Sequence, residues 1–288
     1  MIKVALFCIL ASCLISTSYA DSIQIKYSQP RKGSALDQYA IDLVKFLIEV
    51  SGKKGRFISI EDTGSQTRRQ LLMQKGVYDV DWFGGTINIE TLVAPIRYPI
   101  LRGLLGHRVF ITNKETSAIL NTGIPFTELK KLKVIQGQGW GDVLILKNGG
   151  FTKIRTIADF DSLFKMIEVN RSSLFPRSII EVQKEFNEQK NLSITIDTNS
   201  LLHYPTAYFF YVNKMNKTLA DDVAYGLEQS LKDGSFERLF MQYYGDIVNK
   251  TINENRIVYH LKNPFLPKKT PLNRKELWLN LTTNEEVY

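Results

Sequence analysis

The glycine-rich segment at residues 136–142 carries residue types suited to holding a small ligand. It has the sequence QGQGWGD and lies between a predicted strand and a predicted helix that begins at Asp142. Glycines let a ligand approach the backbone, and free N–H groups at a helix start favour an anion. Gln138 offers a hydrogen-bonding group and Trp140 a stacking face, whereas Asp142 has the alternative role of helix N-cap. The segment lacks the Lys-Ser/Thr ending of a P-loop and the spacing of a dinucleotide fingerprint.

Arginines form a second group of candidate ligand contacts. Arg177 follows Pro176 at the end of a predicted strand, where a guanidinium could hold a carboxylate or phosphate through two hydrogen bonds. The alternative is an ion pair with Glu181, one helical turn further on. Arg97 and Arg102 lie in an extended, proline-containing segment, and three roles stay open for them: ligand clamp, hinge contact or surface charge.

A third group lies at the ends of the predicted N-terminal strands. In open α/β sheets, ligands bind beyond the carboxyl ends of the strands. This rule selects Asp81, Trp82 and Thr86, with glycines between them, and Tyr27 at the end of the first strand. Packing within the core is the alternative role for the two aromatic residues.

Catalytic patterns are missing from the sequence. The three histidines, His107, His203 and His260, are far apart and have no metal-ligand spacing. Neither Gly-x-Ser-x-Gly nor His-Glu-x-x-His occurs. We therefore expect a binding protein without catalytic residues, bound metal or cofactor.

Alternating strands and helices must position these candidates. Residues 23–27, 57–60 and 79–83 are predicted strands, and Ala35–Val50 and residues 67–75 are predicted helices. This βαβαβ order is typical of a parallel sheet covered by helices.

A second α/β set follows the extended segment at residues 92–111. Its predicted strands are residues 133–136, a short one ending at Phe175, and 192–196, and its predicted helices are Asp142–Asn148, 160–169 with Asp159 as N-cap, and 178–188. A continuous apolar strand, residues 207–212, comes next. Two helices, capped by Thr218 and Ser235, follow it.

The first twenty residues predict a secretory signal peptide. Lys3 precedes a short apolar run, and small residues flank Tyr19 before Asp21. The run is too short to span a membrane. An alternative lipidation signal ends at Cys13, which would tether the protein by a lipid. Cleavage after residue 20 removes both cysteines, so we expect a periplasmic protein without disulfides.

Composition narrows the classes of partner. The chain has 288 residues, enough to bury a core without disulfides, and a formal net charge of +8. Because acidic residues are interspersed with the basic ones, no dense cationic surface for nucleic acid is predicted.

Three stretches in order resemble the type II periplasmic solute-binding proteins, specifically family 3, the receptors of amino-acid ABC transporters. They are LMQKGVYDV (residues 72–80), LKKLKVIQG (residues 129–137) and the helix pair at residues 227–245. Tail motifs at residues 263–267, 270–272 and 276–278 resemble a divergent sub-branch. The resemblance implies an α/β fold with two lobes, each a mainly parallel sheet flanked by helices, joined by two crossover strands, with a ligand between the lobes.

The sequence departs from the family pattern at both positions that recognise an α-amino acid. No arginine stands near Thr91, where the family clamps a carboxylate, and Arg177 replaces the aspartate that holds an amino group. The resemblance therefore implies a small polar ligand, anionic or amino-acid-like, rather than a specific amino acid.

The resulting domain prediction has four parts. A signal peptide covers residues 1–20, lobe one residues 21–110 plus 206–246, lobe two residues 111–205, and an extended tail residues 247–288 packs on both lobes. Closure is expected about residues 108–111 and 207–212. We expect a monomer that passes its ligand to an ABC permease in the inner membrane; a signalling receptor and a dehydratase-like enzyme on the same fold are the alternatives.

Overall fold

The computed structural model of the chain describes residues 22–61, 65–85 and 89–281. The predicted signal peptide, with Cys8 and Cys13, lies outside these residues, as does the predicted ligand contact Thr86. In the part that the structure describes, no helix is both long and apolar enough to cross a membrane.

Strands and helices alternate along most of the described chain. The strands are β1 (Ser22–Ser28), β2 (Lys54–Ile60), β3 (Val80–Gly84), β4 (Ala94–Ile96), β5 (His107–Thr112), β6 (Val134–Gly137), β7 (Ile154–Ile157), β8 (Phe175–Ser178), β9 (Thr195–Ile196), β10 (Ser200–His203), β11 (Tyr208–Val212) and β12 (Ile257–His260). The α-helices are α1 (Ala35–Val50), α2 (Gln66–Gln74), α3 (Ile89–Leu92), α4 (Lys114–Leu120), α5 (Phe126–Leu129), α6 (Asp142–Asn148), α7 (Phe160–Glu168), α8 (Val182–Glu188), α9 (Lys217–Lys232) and α10 (Ser235–Asn253).

The first lobe is built on a five-stranded sheet with the order β2-β1-β3-β11-β4. β1 pairs in parallel with β2 and β3, which confirms the predicted βαβαβ unit. β11 runs antiparallel between β3 and β4, so a late part of the chain completes this sheet. Four of the five residues of β11 are buried, as its continuous apolar sequence predicts.

The second lobe contains a sheet with the order β12-β10-β5-β8, to which β9 adds beside β5. A parallel pair, β6-β7, continues it, because Val134 bridges to Leu174 and the Ile135 N–H donates to the Leu174 carbonyl at 2.9 Å. The architecture is therefore α/β with two lobes.

The connections between the lobes differ from the predicted positions. The chain leaves the first sheet after β4 and enters the second at β5, so the first connection is residues 97–106. The return connection is residues 204–207, between β10 and β11. The residues expected to hinge, 108–111 and 207–212, lie almost wholly inside the two sheets. Their apolar runs reflect burial in a sheet and not a crossover.

Helix ends follow local capping chemistry, with two differences from the prediction. Gly234, which has no side chain to accept a hydrogen bond, occupies the N-cap position of α10, and the predicted cap Ser235 is the first residue of that helix. Asp159 accepts a hydrogen bond from the Ser162 N–H, which confirms it as the N-cap of α7. The N-cap of α9 is Asn216, two residues before the predicted cap Thr218, and its side chain accepts from the Leu219 N–H. Asparagine is an equally good cap, and the competing Thr-x-x-Asp pattern concealed it.

The tail is more structured than the extended segment predicted from residue 247 onward. α10 continues to Asn253 because Tyr244, Val248 and Thr251 keep a buried face at helical spacing. β12 then adds a parallel strand to the edge of the second sheet. Further on, Leu277 and Trp278 are buried in the core of the first lobe. The tail therefore connects the two lobes a third time.

Candidate functional site

A cavity of about 740 Å³ lies between the two lobes and is lined by several separate parts of the chain. Gly84 and Gly85 contribute from the end of β3, and residues 139–142 contribute from the loop between β6 and α6. Residues 206–208, at the end of the return connection and the start of β11, and residues 263–266 of the tail add to the lining, as do Gln66, Leu105 and Arg108. We call this space the interlobe cavity and residues 263–266 the tail wall.

The glycine-rich loop is shaped by its tryptophan. A Cβ on Gly137 would lie 2.2 Å from Cε2 of Trp140, so only glycine lets the indole fold back over the strand end. Gly139 has φ of +81°, which side chains disfavour. Trp140 is half-buried and lines the cavity, whereas Gln138 is exposed and its N–H donates to the Ile157 carbonyl at 2.9 Å.

A buried ion pair lies at the cavity wall. Arg108 of β5 donates from Nη2 to Oδ1 of Asp142 at 3.0 Å and lies 3.6 Å from Glu181. The Tyr204 hydroxyl also donates to Asp142. Burial has the largest single effect and would lower the pKa of Arg108, but Asp142, Tyr204 and Glu181 together outweigh burial and the pKa is raised. Asp142 therefore binds Arg108 and Tyr204, and Gly141, not Asp142, occupies the N-cap position of α6.

Two polar atoms beside this pair are unsatisfied. Nε of Arg108 and Oγ1 of Thr206 are buried and have no hydrogen-bond partner in the part of the chain that the structure describes. Both residues line the interlobe cavity. Buried polar groups are normally paired, so an unpaired one at a cavity wall is a candidate contact for a bound molecule.

Arg177 contacts the cavity only through Trp140. Its guanidinium lies 4.8 Å from the centre of the Trp140 ring and is bound by Glu185, with Nε 2.6 Å from Oε2, and by Glu181 at 3.1 Å. Only 6% of the residue is exposed. The Glu181 ion pair that the sequence offered as the alternative is therefore present, and ligand binding by Arg177 stays a prediction.

The predicted residues at the end of β3 are engaged inside the first lobe. Asp81 is buried and accepts from Arg69 at 2.9 Å and from the Trp82 N–H at 2.8 Å. Burial raises its pKa to about 6. Trp82 is 1% exposed, donates from Nε1 to Asp37 at 2.9 Å and packs against Phe210. Its ring has the core position that the sequence left as the alternative.

The remaining described candidates lie away from the interlobe cavity. Tyr27 is half-buried against the main core. Arg97 forms two hydrogen bonds with Glu90, at 2.7 and 2.6 Å. Arg102 is bound by Glu237, near the C-terminal helix α10. Of the ligand contacts predicted individually, Trp140 lines the cavity, together with Gly84, Gly85 and the rest of the glycine-rich segment from Gly139 to Asp142.

Sequence reasoning missed Arg108, Asp142 as its partner, Tyr204 and the tail wall. An arginine directly before the apolar run of residues 109–111 was the available signal, since an unpaired buried guanidinium is costly. No such signal existed for the tail wall, because its placement depends on where β12 pairs.

A smaller cavity of about 330 Å³ lies between the start of α1 and α8. Arg31 and Lys32 line it from the first lobe, and Glu181 and Lys184 from the second. Lys184 Nζ donates to the Gly33 carbonyl at 2.8 Å and so joins the lobes. In the described ranges, no group of three or more His, Cys, Asp or Glu residues could hold a metal ion.

Sequence comparison identifies no relative: no family model and no curated protein matches the chain. Solved structures do match. A probable amino-acid ABC transporter extracellular-binding protein from Bacillus subtilis aligns with a TM-score of 0.59 at 17% identity, covering 77% of this chain and 98% of its own. An ancestral arginine-binding protein bound to glutamine aligns at 0.51 and 16% identity, covering 77% and 98%.

A histidine kinase sensor domain with similarity to periplasmic binding proteins also aligns, with a TM-score of 0.52 at 13% identity, covering 78% of this chain and 95% of its own. Identities this low carry information about the fold alone. The chain has the two-lobe α/β fold of the periplasmic solute-binding proteins.

Proposed function

We propose that this chain is an extracytoplasmic receptor that captures a small polar solute between its two lobes. The observation that carries the proposal is the interlobe cavity, whose volume of about 740 Å³ falls in the range of small-molecule sites. Its lining comes from both lobes, so a bound solute would hold them together. Binding energy would then favour the closed form.

The charges at the cavity favour an amino-acid-like solute over a simple anion. Arg108 and Asp142 present opposite charges 3.0 Å apart. A zwitterion could enter this pair, giving its carboxylate to Arg108 and its ammonium group to Asp142, without leaving a charge unpaired. A simple anion would displace Asp142 and leave that carboxylate buried without a cation. Trp140 and Tyr208 supply aromatic faces for the remainder of the solute.

The partner that best suits this fold is an ABC permease in the inner membrane. The predicted signal peptide would direct the chain to the periplasm, where it could meet that permease. A signalling receptor is the second candidate, because the similar structures include a histidine kinase sensor domain. An enzyme such as a dehydratase is the third. Turnover of the bound solute would establish the enzyme.

Native mass spectrometry of the purified protein tests for a co-purifying solute, and titration with single amino acids and dicarboxylates identifies its class. Trp140 is a natural reporter, because Trp82 and Trp278 are buried elsewhere. We expect a change in Trp140 emission on binding, which Trp140→Phe removes.

Two variants separate the site from the scaffold. Asp142→Asn should weaken amino-acid binding at least about tenfold, since an amide cannot pair with an ammonium group. Asp246→Asn makes the same change at an exposed position on α10 and should leave affinity unaltered. If no solute binds, the proposed function is wrong. If Asp142→Asn and Asp246→Asn bind the solute with equal affinity, the proposed site is wrong.

A further inference from the structure

The three histidines of the chain, scattered in the sequence, lie side by side in the second sheet. His203 of β10 pairs in register with His107 of β5 on one side and with His260 of β12 on the other. Residues directly opposite one another on neighbouring strands project from the same face of a sheet. We call this row the histidine ladder.

The rings of the histidine ladder are in contact. Ring centres of His107 and His203 are 4.5 Å apart, and those of His203 and His260 are 5.3 Å apart. Nδ1 of His203 lies 3.3 Å from Nδ1 of His260, which fits one shared proton between neutral rings. Nδ1 of His107 is buried and has no hydrogen-bond partner in the described residues.

The surroundings favour neutral imidazoles. His107 and His203 are each 1% exposed, and His260 is half-buried. Burial lowers the pKa of His107 to about 4, with Arg108 and His260 adding to the effect, while two carbonyl groups, of Gly103 and Leu104, oppose it. Burial and the two neighbouring histidines lower the pKa of His203 well below its ordinary value. Asp142 and Glu181, the carboxylates closest to Arg108, already bind that guanidinium.

Each member of the ladder lies where the chain passes between lobes. His107 is the first residue of β5, after the first connection, and His203 is the last residue of β10, before the return connection. His260 ends β12, and the tail wall begins three residues later. The Asn263 side chain donates to the Pro205 carbonyl at 2.8 Å, which links the tail wall to the return connection.

We propose that the histidine ladder is a proton-sensitive latch: protonation of its imidazoles releases β12 from β10, withdraws the tail wall from the interlobe cavity and weakens ligand binding. The effect on the ligand rests on the proposed function; the release of β12 does not.

Sheet position decides which strand moves. Among the described strands, β12 pairs with β10 alone, whereas β5 and β10 are held on both sides. Two protonated rings about 5 Å apart in a buried row repel each other strongly, because little solvent screens them. Repulsion is relieved when the edge strand separates and His260 reaches water. The residues that follow His260 then lose the register that holds them against the cavity.

Hydrogen exchange of the full protein tests the latch without a ligand. Protection factors, corrected for intrinsic exchange, are measured for β12 and for α1 near pH 7.5 and near pH 5. We expect protection of β12 to fall at least about tenfold at the lower pH while α1 keeps its protection. His260→Gln, a neutral change at the half-buried member of the ladder, should abolish this fall.

A disulfide provides an independent control, because His203→Gln could prevent folding. Leu201 and Val258 are paired in register on the same two strands, so Leu201→Cys with Val258→Cys, in a chain where Cys8 and Cys13 are serine, can join β10 to β12. Oxidised protein should keep β12 protected near pH 5, and reduction should restore the loss. Unchanged protection of β12 in the unmodified sequence, or an undiminished fall in His260→Gln, would overturn the proposal.

Failure of the proposed function gives a different pattern. If no solute binds at either pH but β12 still loosens, the latch exists and the receptor function is wrong. If a solute binds with the same affinity near pH 7.5 and pH 5 while β12 loosens, the tail wall does not control the cavity, and that part of the proposal fails.

Discussion

Arginines at the two cavities between the lobes are held by carboxylates, and these pairs set the chemistry of the site. Arg108, which lines the interlobe cavity, binds Asp142; Arg177, which contacts Trp140, binds Glu185; and Arg31, which lines the smaller cavity, binds Asp37. A ligand must therefore exchange partners within existing ion pairs. This requirement favours a solute that carries both signs of charge.

The ion pairs of Arg177 predict an effect on protein stability rather than on ligand affinity. Arg177→Gln removes the cation between two carboxylates, so we expect the free energy of unfolding to fall by about 3 kcal/mol. Arg171→Gln, the same change at an exposed position, should alter it by less than about 0.5 kcal/mol. Urea unfolding monitored by circular dichroism measures both variants. A stable Arg177→Gln protein with lost ligand affinity would instead make Arg177 a direct ligand contact.

A second prediction concerns His107 and pH. Because its folded-state pKa, about 4, lies below the ordinary value of 6.5, the unfolded chain binds the proton more readily. Its stabilising contribution is full above the ordinary value and is lost as pH falls from about 6.5 to about 4. Relative to His107→Gln, the unmodified protein should lose about 3 kcal/mol of unfolding free energy over this window.

The pH dependence of His107 must be measured against the His107→Gln variant because Asp81 also titrates in this range. Its raised pKa gives the opposite dependence, because the folded state binds the proton more readily and stability is lost as pH rises through about 6. Asp81 is present in both proteins, so its contribution cancels in the difference. Equal pH profiles for the two proteins would show that His107 is not buried in its neutral form.

At the scale of elements, the sequence predicts what is local and misses what depends on pairing. α1 and α6 have the predicted bounds, since apolar spacing and turn residues are encoded within one helix. β12 and the histidine ladder were missed, because their strand partners lie about 50 to 150 residues away in the sequence. The spacing of apolar residues within a strand does not indicate which other strand it pairs with. Asp142 illustrates the same limit at the site: its place at the start of a helix was evident, but its partner Arg108, 34 residues earlier in the chain, was not.

Packing of α9 on α1 gives a prediction at this scale. A Cβ on Gly226 would lie 2.3 Å from the Leu47 carbonyl oxygen, so the two helices approach too closely for any side chain there. Gly226→Ala should lower the free energy of unfolding by about 3 kcal/mol. Gly245→Ala in α10 is the matched control: its Cβ would meet only Met241 atoms at 3.6 and 3.7 Å, and better helix propensity should add up to about 1 kcal/mol. Thermal unfolding of both proteins distinguishes the effects, and equal shifts would contradict the packing argument.

At the scale of the whole molecule, three connections join the lobes. The tail adds β12 to the second sheet and buries Trp278 in the first lobe, and Leu279 N–H donates to the Arg102 carbonyl at 2.9 Å. When the interlobe cavity opens, the tail must therefore move or bend together with the two connections at residues 97–106 and 204–207. The resemblance correctly implied two lobes but contained no information about this third link.

This linkage predicts a single unfolding transition. Trp140 reports the second lobe, and circular dichroism reports the helices of both. We expect the two signals to give the same urea midpoint, because neither lobe can unfold without releasing the tail. Trp278→Ala removes the anchor in the first lobe and should lower that midpoint, at a cost of about 3 kcal/mol or more. Two separate midpoints in the unmodified protein would contradict the mechanical linkage.

The position of β11 between β3 and β4 has a consequence for the order of events during synthesis. A chain that emerges with its N-terminus first exposes β1 to β4 long before residues 208–212 arrive to fill the gap between them. The second sheet waits longer still for its edge strand at residues 257–260. Neither half can settle into its final form while the rest is unmade, so nearly the entire polypeptide must be available before folding is complete. Such a delay keeps the nascent chain incompletely folded during its synthesis and during any translocation that accompanies synthesis.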